Sequence, residues 1–85
     1  MEKSVHTEEY AAFLRLLRET RKAANITQVE LGRRLSQTQS HVSKWERGEL
    51  RIDVIQLRNI CRALGTELTV FAHRLEKRLC RRRNL

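Results

Sequence analysis

From Thr7 onward the apolar residues fall at helical spacing, and short polar or glycine-bearing breaks divide them into five segments. In the first, Tyr10, Phe13, Leu14, Leu17 and Ala24 trace one face, with Leu16 beside it. Arg15, Arg18, Glu19 and Lys22 occupy the other side. Thr7 is placed to cap this helix, and Glu8 and Glu9 suit its positive end. Asn25 suits a left-handed stop. Met1 to His6 precede the cap as an arm expected to fray. The apolar stripe reads as core rather than as a ligand groove.

The second and third segments are short and close together. Thr27 to Gly48, TQVELGRRLSQTQSHVSKWERG, reads as two helices joined by a tight turn. Thr27 with Glu30 three residues on has capping-box spacing, and Ile26 with Leu31 has hydrophobic-staple spacing. Val29, Leu31 and Leu35 form the apolar run, with Gly32 between them. Ser36-Gln37 breaks it, and Thr38 is a second cap. Val42 and Trp45, at i and i+3, make the inner face of the following helix, which Gly48 closes at a left-handed position.

Two further helices complete the pattern. Gly48 to Arg51 is a loop, and Asp53 caps the fourth helix. Val54, Ile55, Leu57, Ile60, Cys61 and Leu64 give that helix an apolar arc wider than one core contact needs, and Gly65 ends it. The last helix, about 67–81, carries Leu68, Phe71, Ala72, Leu75 and Leu79, with Arg74, Lys77, Arg78 and Arg81 on its other side. It is longer than core closure requires and runs into a basic end, Arg81-Arg82-Arg83. The absence of Pro and the presence of only three Gly favour helices over hairpins. The expected architecture is all-α, with residues 1–85 forming one small domain.

Charge narrows the class of partner. The chain holds 18 Lys/Arg against 10 Asp/Glu, net +8, with a sequence pI of about 10.8. Residues 1–50 contribute nine bases and seven acids, net +2; residues 51–85 contribute nine and three, net +6. Such a surplus suits a polyanion: DNA, RNA or an anionic membrane surface. Charge that serves solubility alone is the competing reading. No apolar run is long enough to cross a bilayer, and MEKSVHTEEY lacks a signal-peptide apolar region, so a cytoplasmic location is expected.

Catalysis and metal binding find little support. Cys61 and Cys80 lack CxxC spacing, and His6, His41 and His73 are scattered, so no metal site is expected. Cys61 lies among Leu57, Ile60 and Leu64 and reads as a buried thiol; Cys80 sits in the basic tail. There is no glycine-rich phosphate loop and no nucleophile with a base beside it. Ser40 and His41 are adjacent on a helix and point about 100° apart, so they form no dyad. Neither enzymatic activity nor a cofactor is expected.

The outer face of the third helix carries Gln39, Ser40, Ser43, Lys44 and Arg47, with His41 at its edge. These are short or forked hydrogen-bonders with one or two cations, a mixture suited to base edges in a major groove. A solvated polar face is the ordinary alternative for one helix taken alone. The two helices together change that balance. TQVELGRRLSQTQSHVSKWERG resembles the helix-turn-helix of the Cro/repressor (Xre-type) family of bacterial and phage transcriptional regulators. Thr27-Gln28, Leu31-Gly32, Leu35, Val42, Trp45-Glu46 and Gly48 carry the resemblance, and weaker similarity runs from about Leu17 to Leu68. Ser36 is a departure, since the family often has Gly there; a left-handed Ser would carry strain of about 1 kcal/mol.

The resemblance implies a five-helix, lambda-repressor-like DNA-binding domain with the helix-turn-helix at helices two and three. It places the third helix in the major groove of double-stranded DNA. The implied base readers are Gln39, Ser40, Ser43 and Lys44, with His41 at the margin. Gln39 suits a bidentate contact to adenine, and Lys44 a guanine or a phosphate. Gln28, Thr38, Arg47 and Arg51 are the implied phosphate contacts, Gln28 at a helix start where free N–H groups favour an anion. Arg21 and Glu46 match a structural ion pair of relatives.

The expected function is sequence-specific transcriptional regulation, as a repressor. The alternative is an antitoxin-type module that binds a toxin protein as well as its own promoter, a role Xre-type domains also fill, with Phe71 to Leu79 as the partner surface. A basic helix set binding membrane or RNA is a third reading, and the capped two-helix geometry argues against it. One such domain reads few base pairs, so a homodimer on an inverted-repeat operator is expected. The surplus apolar residues Ile55, Val70, Phe71, Leu75 and Leu79 mark the expected interface.

Overall fold

A computed structural model describes residues 7–83. The expected arm at Met1 to His6 lies outside the described residues, as do the side chains of Arg82 and Arg83 in the basic end. Five helices follow in order: α1 (Glu8–Ala23), α2 (Gln28–Leu35), α3 (Gln39–Glu46), α4 (Val54–Ala63) and α5 (Leu68–Arg83). Among the described residues there is no strand. The all-α, lambda-repressor-like architecture expected from the sequence is the one observed.

Local chemistry sets the helix ends. Thr7, Thr27 and Thr38 accept from the backbone N–H groups of Tyr10, Glu30 and His41 at 3.2, 3.0 and 3.0 Å. Each side chain satisfies one donor that has no partner inside the first turn. The capping box expected at Thr27–Glu30 is only half formed. Glu30 turns its carboxylate to Arg33 and Arg34 instead, because two guanidiniums outbid one backbone N–H. A reciprocal box occurs at α4, where Asp53 accepts from Gln56 N at 2.7 Å and the Gln56 side chain accepts from Asp53 N at 2.8 Å. Asn25 (φ 61°) and Gly48 (φ 81°) take the expected left-handed stops, and Gly65, expected to end the fourth helix, is left-handed as well (φ 82°).

The core joins all five helices. Phe13, Leu14 and Leu17 of α1 meet Leu31, Val42, Trp45, Ile60, Cys61 and Phe71. Phe13 and Phe71 pack edge to face with centroids 5.8 Å apart, locking α5 to α1. α1 therefore packs against α3 and α5, α2 lies against α3 and α4, and α4 also meets α5. Three sequence expectations change. Ala24 is exposed beyond the end of α1, whereas Ala12 is buried. Val29 stands 65% exposed on α2, because position 29 points away from the core that Leu31 enters. Phe71 is 1% exposed, so its ring belongs to the chain's own core and not to an intersubunit surface.

Candidate nucleic-acid interface

The turn between α2 and α3 fixes the angle of the pair. Ser36 is left-handed (φ 57°, ψ 41°), so it carries the strain of about 1 kcal/mol that a residue other than glycine meets there. Its N–H and that of Gln37 return to the carbonyls of Arg33 and Gly32, closing α2 before the chain reverses. Val42, Trp45 and Glu46 are buried, and this seats α3 on α1 and α2.

The opposite face of α3 is open. Gln39, Ser40 and Lys44 are exposed; His41 and Ser43 are half-buried. The His41 ring stands edge-on to Trp45 at 4.7 Å. Arg47 donates to the Ser43 hydroxyl and forks onto Glu49 at 2.9 and 3.1 Å. That guanidinium holds the Glu49 carboxyl below the usual carboxylate range. Ser43, expected as a base reader, and Arg47, expected on phosphate, are thus tied together at the C-terminal end of the face. Thr38 spends an acceptor lone pair on its cap and keeps its O–H proton to donate.

A hydrogen-bonded series runs inward from Gln39. Its Nε2 donates to Gln28 Oε1 at 2.6 Å, and Gln28 Nε2 donates to Glu46 Oε1 at 2.9 Å. Glu46 in turn accepts from Arg21 Nε at 2.6 Å and Nη2 at 3.1 Å. Arg21 Nη1 donates to the Ile26 carbonyl at 2.9 Å. Arg21 and Glu46 are 7% and 3% exposed, so the pair expected from the resemblance is a buried one. The sequence reading missed the links from Gln28 to both neighbours. It also missed Arg18, whose Nη1 donates to the Glu46 carbonyl at 3.0 Å and caps the end of α3. Arg18 and Arg21 lie three apart on one face of α1, a spacing that pointed to a shared target.

Arg51 lies in the α3–α4 loop with its guanidinium 4.4 Å above the Tyr10 ring. The Tyr10 hydroxyl accepts from Ile52 N at 3.2 Å, so one side chain of α1 ties down the loop. Of the residues expected at an interface between copies, Ile55 and Val70 are exposed, Leu75 and Leu79 are half-buried, and Phe71 is internal. Val54, absent from that set, is 61% exposed. Cys61 is buried, which pushes its thiol pKa up, and Cys80 is exposed. Among the described residues no three His, Cys, Asp or Glu side chains gather to hold a metal, and no helix is long and apolar enough to cross a membrane.

Two short helices at a tight turn, one braced inside and bare outside, define a helix-turn-helix protein. The helix-turn-helix family model matches residues 17–71. A solved structure of an XRE-family like protein from Pseudomonas syringae pv. tomato str. DC3000 is similar at 47% identity and a TM-score of 0.78, covering 82% of this chain and 85% of that one. No curated protein matches the chain. The chain belongs to the Xre-type (Cro/C1-type) helix-turn-helix family of DNA-binding transcription regulators.

Proposed function

We propose that this protein is a sequence-specific repressor that lays α3 in the major groove of double-stranded DNA. The observation that carries the reading is the two-sidedness of α3. Its one acid, Glu46, is buried against Arg21, while Gln39, Ser40 and Lys44 stand exposed. A groove lined by phosphates repels carboxylates, so withdrawing the acid leaves a face of donors, acceptors and one cation. Gln39, Ser40, Ser43 and Lys44 read bases, with His41 at the margin. Gln28, Thr38, Arg47 and Arg51 approach phosphates around them and set register without carrying sequence information.

A homodimer doubles the number of base pairs read and requires an inverted-repeat operator. Its two α3 helices are expected about 34 Å apart, one turn of DNA. Occupying an operator that overlaps a promoter blocks transcription, and the site of action is the cytoplasm. Selection of bound duplexes from a random library tests the reading. An enriched palindrome is expected, and a reporter behind it should fall when the protein is expressed. A pool that stays random after repeated rounds rejects sequence-specific binding.

A further inference from the structure

We infer that Glu46 governs the base preference of Gln39 without touching DNA, by fixing the polarity of two glutamine amides in series. The inference rests on α3 reading bases, as proposed above. A carboxylate accepts hydrogen bonds and donates none. The group that Gln28 turns toward Glu46 must therefore be its NH2, and the two lie 2.9 Å apart. This points the Gln28 carbonyl at Gln39, so the Gln39 group facing it must also be NH2, at 2.6 Å. Gln39 is left with one N–H and its carbonyl oxygen for the groove.

That remainder is selective. Adenine offers an acceptor, N7, beside a donor, the N6 amino group; guanine offers two acceptors, N7 and O6. One donor with one acceptor matches adenine and cannot satisfy both guanine atoms. An amide free to turn over can place its carbonyl inward and present both N–H groups, which suits guanine. The root of the series does not turn over. Glu46 is 3% exposed and gripped by two nitrogens of Arg21, whose third nitrogen is held by the Ile26 carbonyl. Order then passes from a buried ion pair, through half-buried Gln28, to exposed Gln39. Glu46 and Arg21 are positioning residues, and Gln28 transmits their constraint.

The test measures affinity for the selected operator and for the same duplex with the contacted adenine replaced by guanine. Each ratio comes from a single protein sample, so a lower folded fraction cancels. Two variants cut the series at different points. Glu46→Gln, made with Arg21→Met so that no guanidinium is left unpaired, keeps the shape but lets position 46 donate or accept. Gln28→Leu retains the Arg21–Glu46 pair and removes the link. Gln39→Ala sets the floor. Both variants are expected to lower the adenine-over-guanine ratio by about tenfold, within the span of a bidentate base contact. Loss of any phosphate contact by Gln28 weakens both duplexes alike and leaves the ratio untouched. If Gln39→Ala loses the preference while Glu46→Gln/Arg21→Met and Gln28→Leu keep the wild-type ratio, base reading by α3 stands and the polarity relay is overturned. If the wild type selects no operator, or Gln39→Ala keeps the full ratio, the functional reading fails and the relay falls with it.

Discussion

A β-carbon on Gly32 would stand 2.7 Å from the carbonyl oxygen of Gln37, with Thr38 C and O at 3.2 Å. Gly32 is buried in α2, and its own carbonyl accepts from Gln37 N at 2.8 Å, so helix and turn are held face to face. The obstructing atoms are backbone and cannot swing aside. Gly32→Ala should therefore displace the start of α3 and cost about 1–3 kcal/mol, the usual penalty of overpacking. Denaturant midpoints measure the loss, and operator titration should show a further fall in affinity from the shifted helix. A midpoint equal to wild type would mean that the turn has slack.

The buried ion pair sets a second expectation. Glu46→Ala leaves the Arg21 guanidinium 7% exposed with its carboxylate gone. Breaking a buried pair by removing one partner costs about 3–5 kcal/mol, well above the 0–1 kcal/mol of a surface pair. Replacing both residues by apolar ones of similar volume should recover most of it. Urea denaturation of the single and double variants separates the cases, and a single-variant loss within about 0.5 kcal/mol would reject the pair as a structural element.

Features settled over a few residues were legible in the sequence, and those settled by distant partners were not. Caps at Thr7, Thr27, Thr38 and Asp53, and stops at Asn25, Gly48 and Gly65, were legible because each is settled within three or four residues. The position of α3 and the polar face of Gln39, Ser40 and Lys44 were legible from period and pattern. Competition between partners was not. Glu30 had capping-box spacing, yet its carboxylate went to Arg33 and Arg34. Long-range partners were also hidden: Arg18 finds the Glu46 carbonyl 28 residues away, and Arg34 finds the Ala63 carbonyl 29 residues away. Gln28 looked like a phosphate contact alone, and only the folded geometry brings it between Glu46 and Gln39.

The Glu30 cluster predicts a pH dependence. Hydrogen bonds from Arg33, then Arg34, hold its carboxyl at about 2, against an ordinary 4.5. A carboxyl depressed in the folded state stabilises fully above its unfolded value and loses that contribution as pH falls toward the folded value. Glu30→Gln should thus melt below wild type near neutral pH, and the gap should close between pH 4.5 and 2. The side chains are solvent-exposed enough for high salt to shrink the gap as well. A gap that persists unchanged to pH 2 would place the Glu30 contribution outside its charge.

Arg51 allows loop anchoring and DNA contact to be measured apart. Its stacking on Tyr10 at 4.4 Å should contribute about 0.5–1 kcal/mol to stability. A phosphate contact should in addition make the salt dependence of DNA binding shallower by about one unit when Arg51 is replaced by Ala. Affinities across a salt series check this. A lower melting temperature with an unchanged slope would confine Arg51 to holding the loop on α1.

The proposed interface between copies draws on what the core leaves uncovered. Phe71 is consumed by its contact with Phe13, and Leu75 lines an apolar groove with Tyr10, Phe13 and Leu57. Charging Leu75 would therefore strike the fold as well as any dimer. Ile55, 64% exposed, and Val70, 42% exposed, are the most open members of the expected set, with Leu75 and Leu79 half-buried. Ile55→Glu with Val70→Glu should leave the helical content and melting temperature near wild type, since surface substitutions change stability by about 0.5 kcal/mol or less. Placing two carboxylates in a dimer interface should dissociate it, because burying a charge costs far more than the apolar contact it replaces. The variant is expected to sediment as a monomer, lose operator affinity and keep weak, salt-sensitive binding to any duplex. Wild type that stays monomeric with operator present would reject dimeric recognition. A double variant that still dimerises would move the interface away from these two residues, with exposed Val54 and Val29 the next positions to charge.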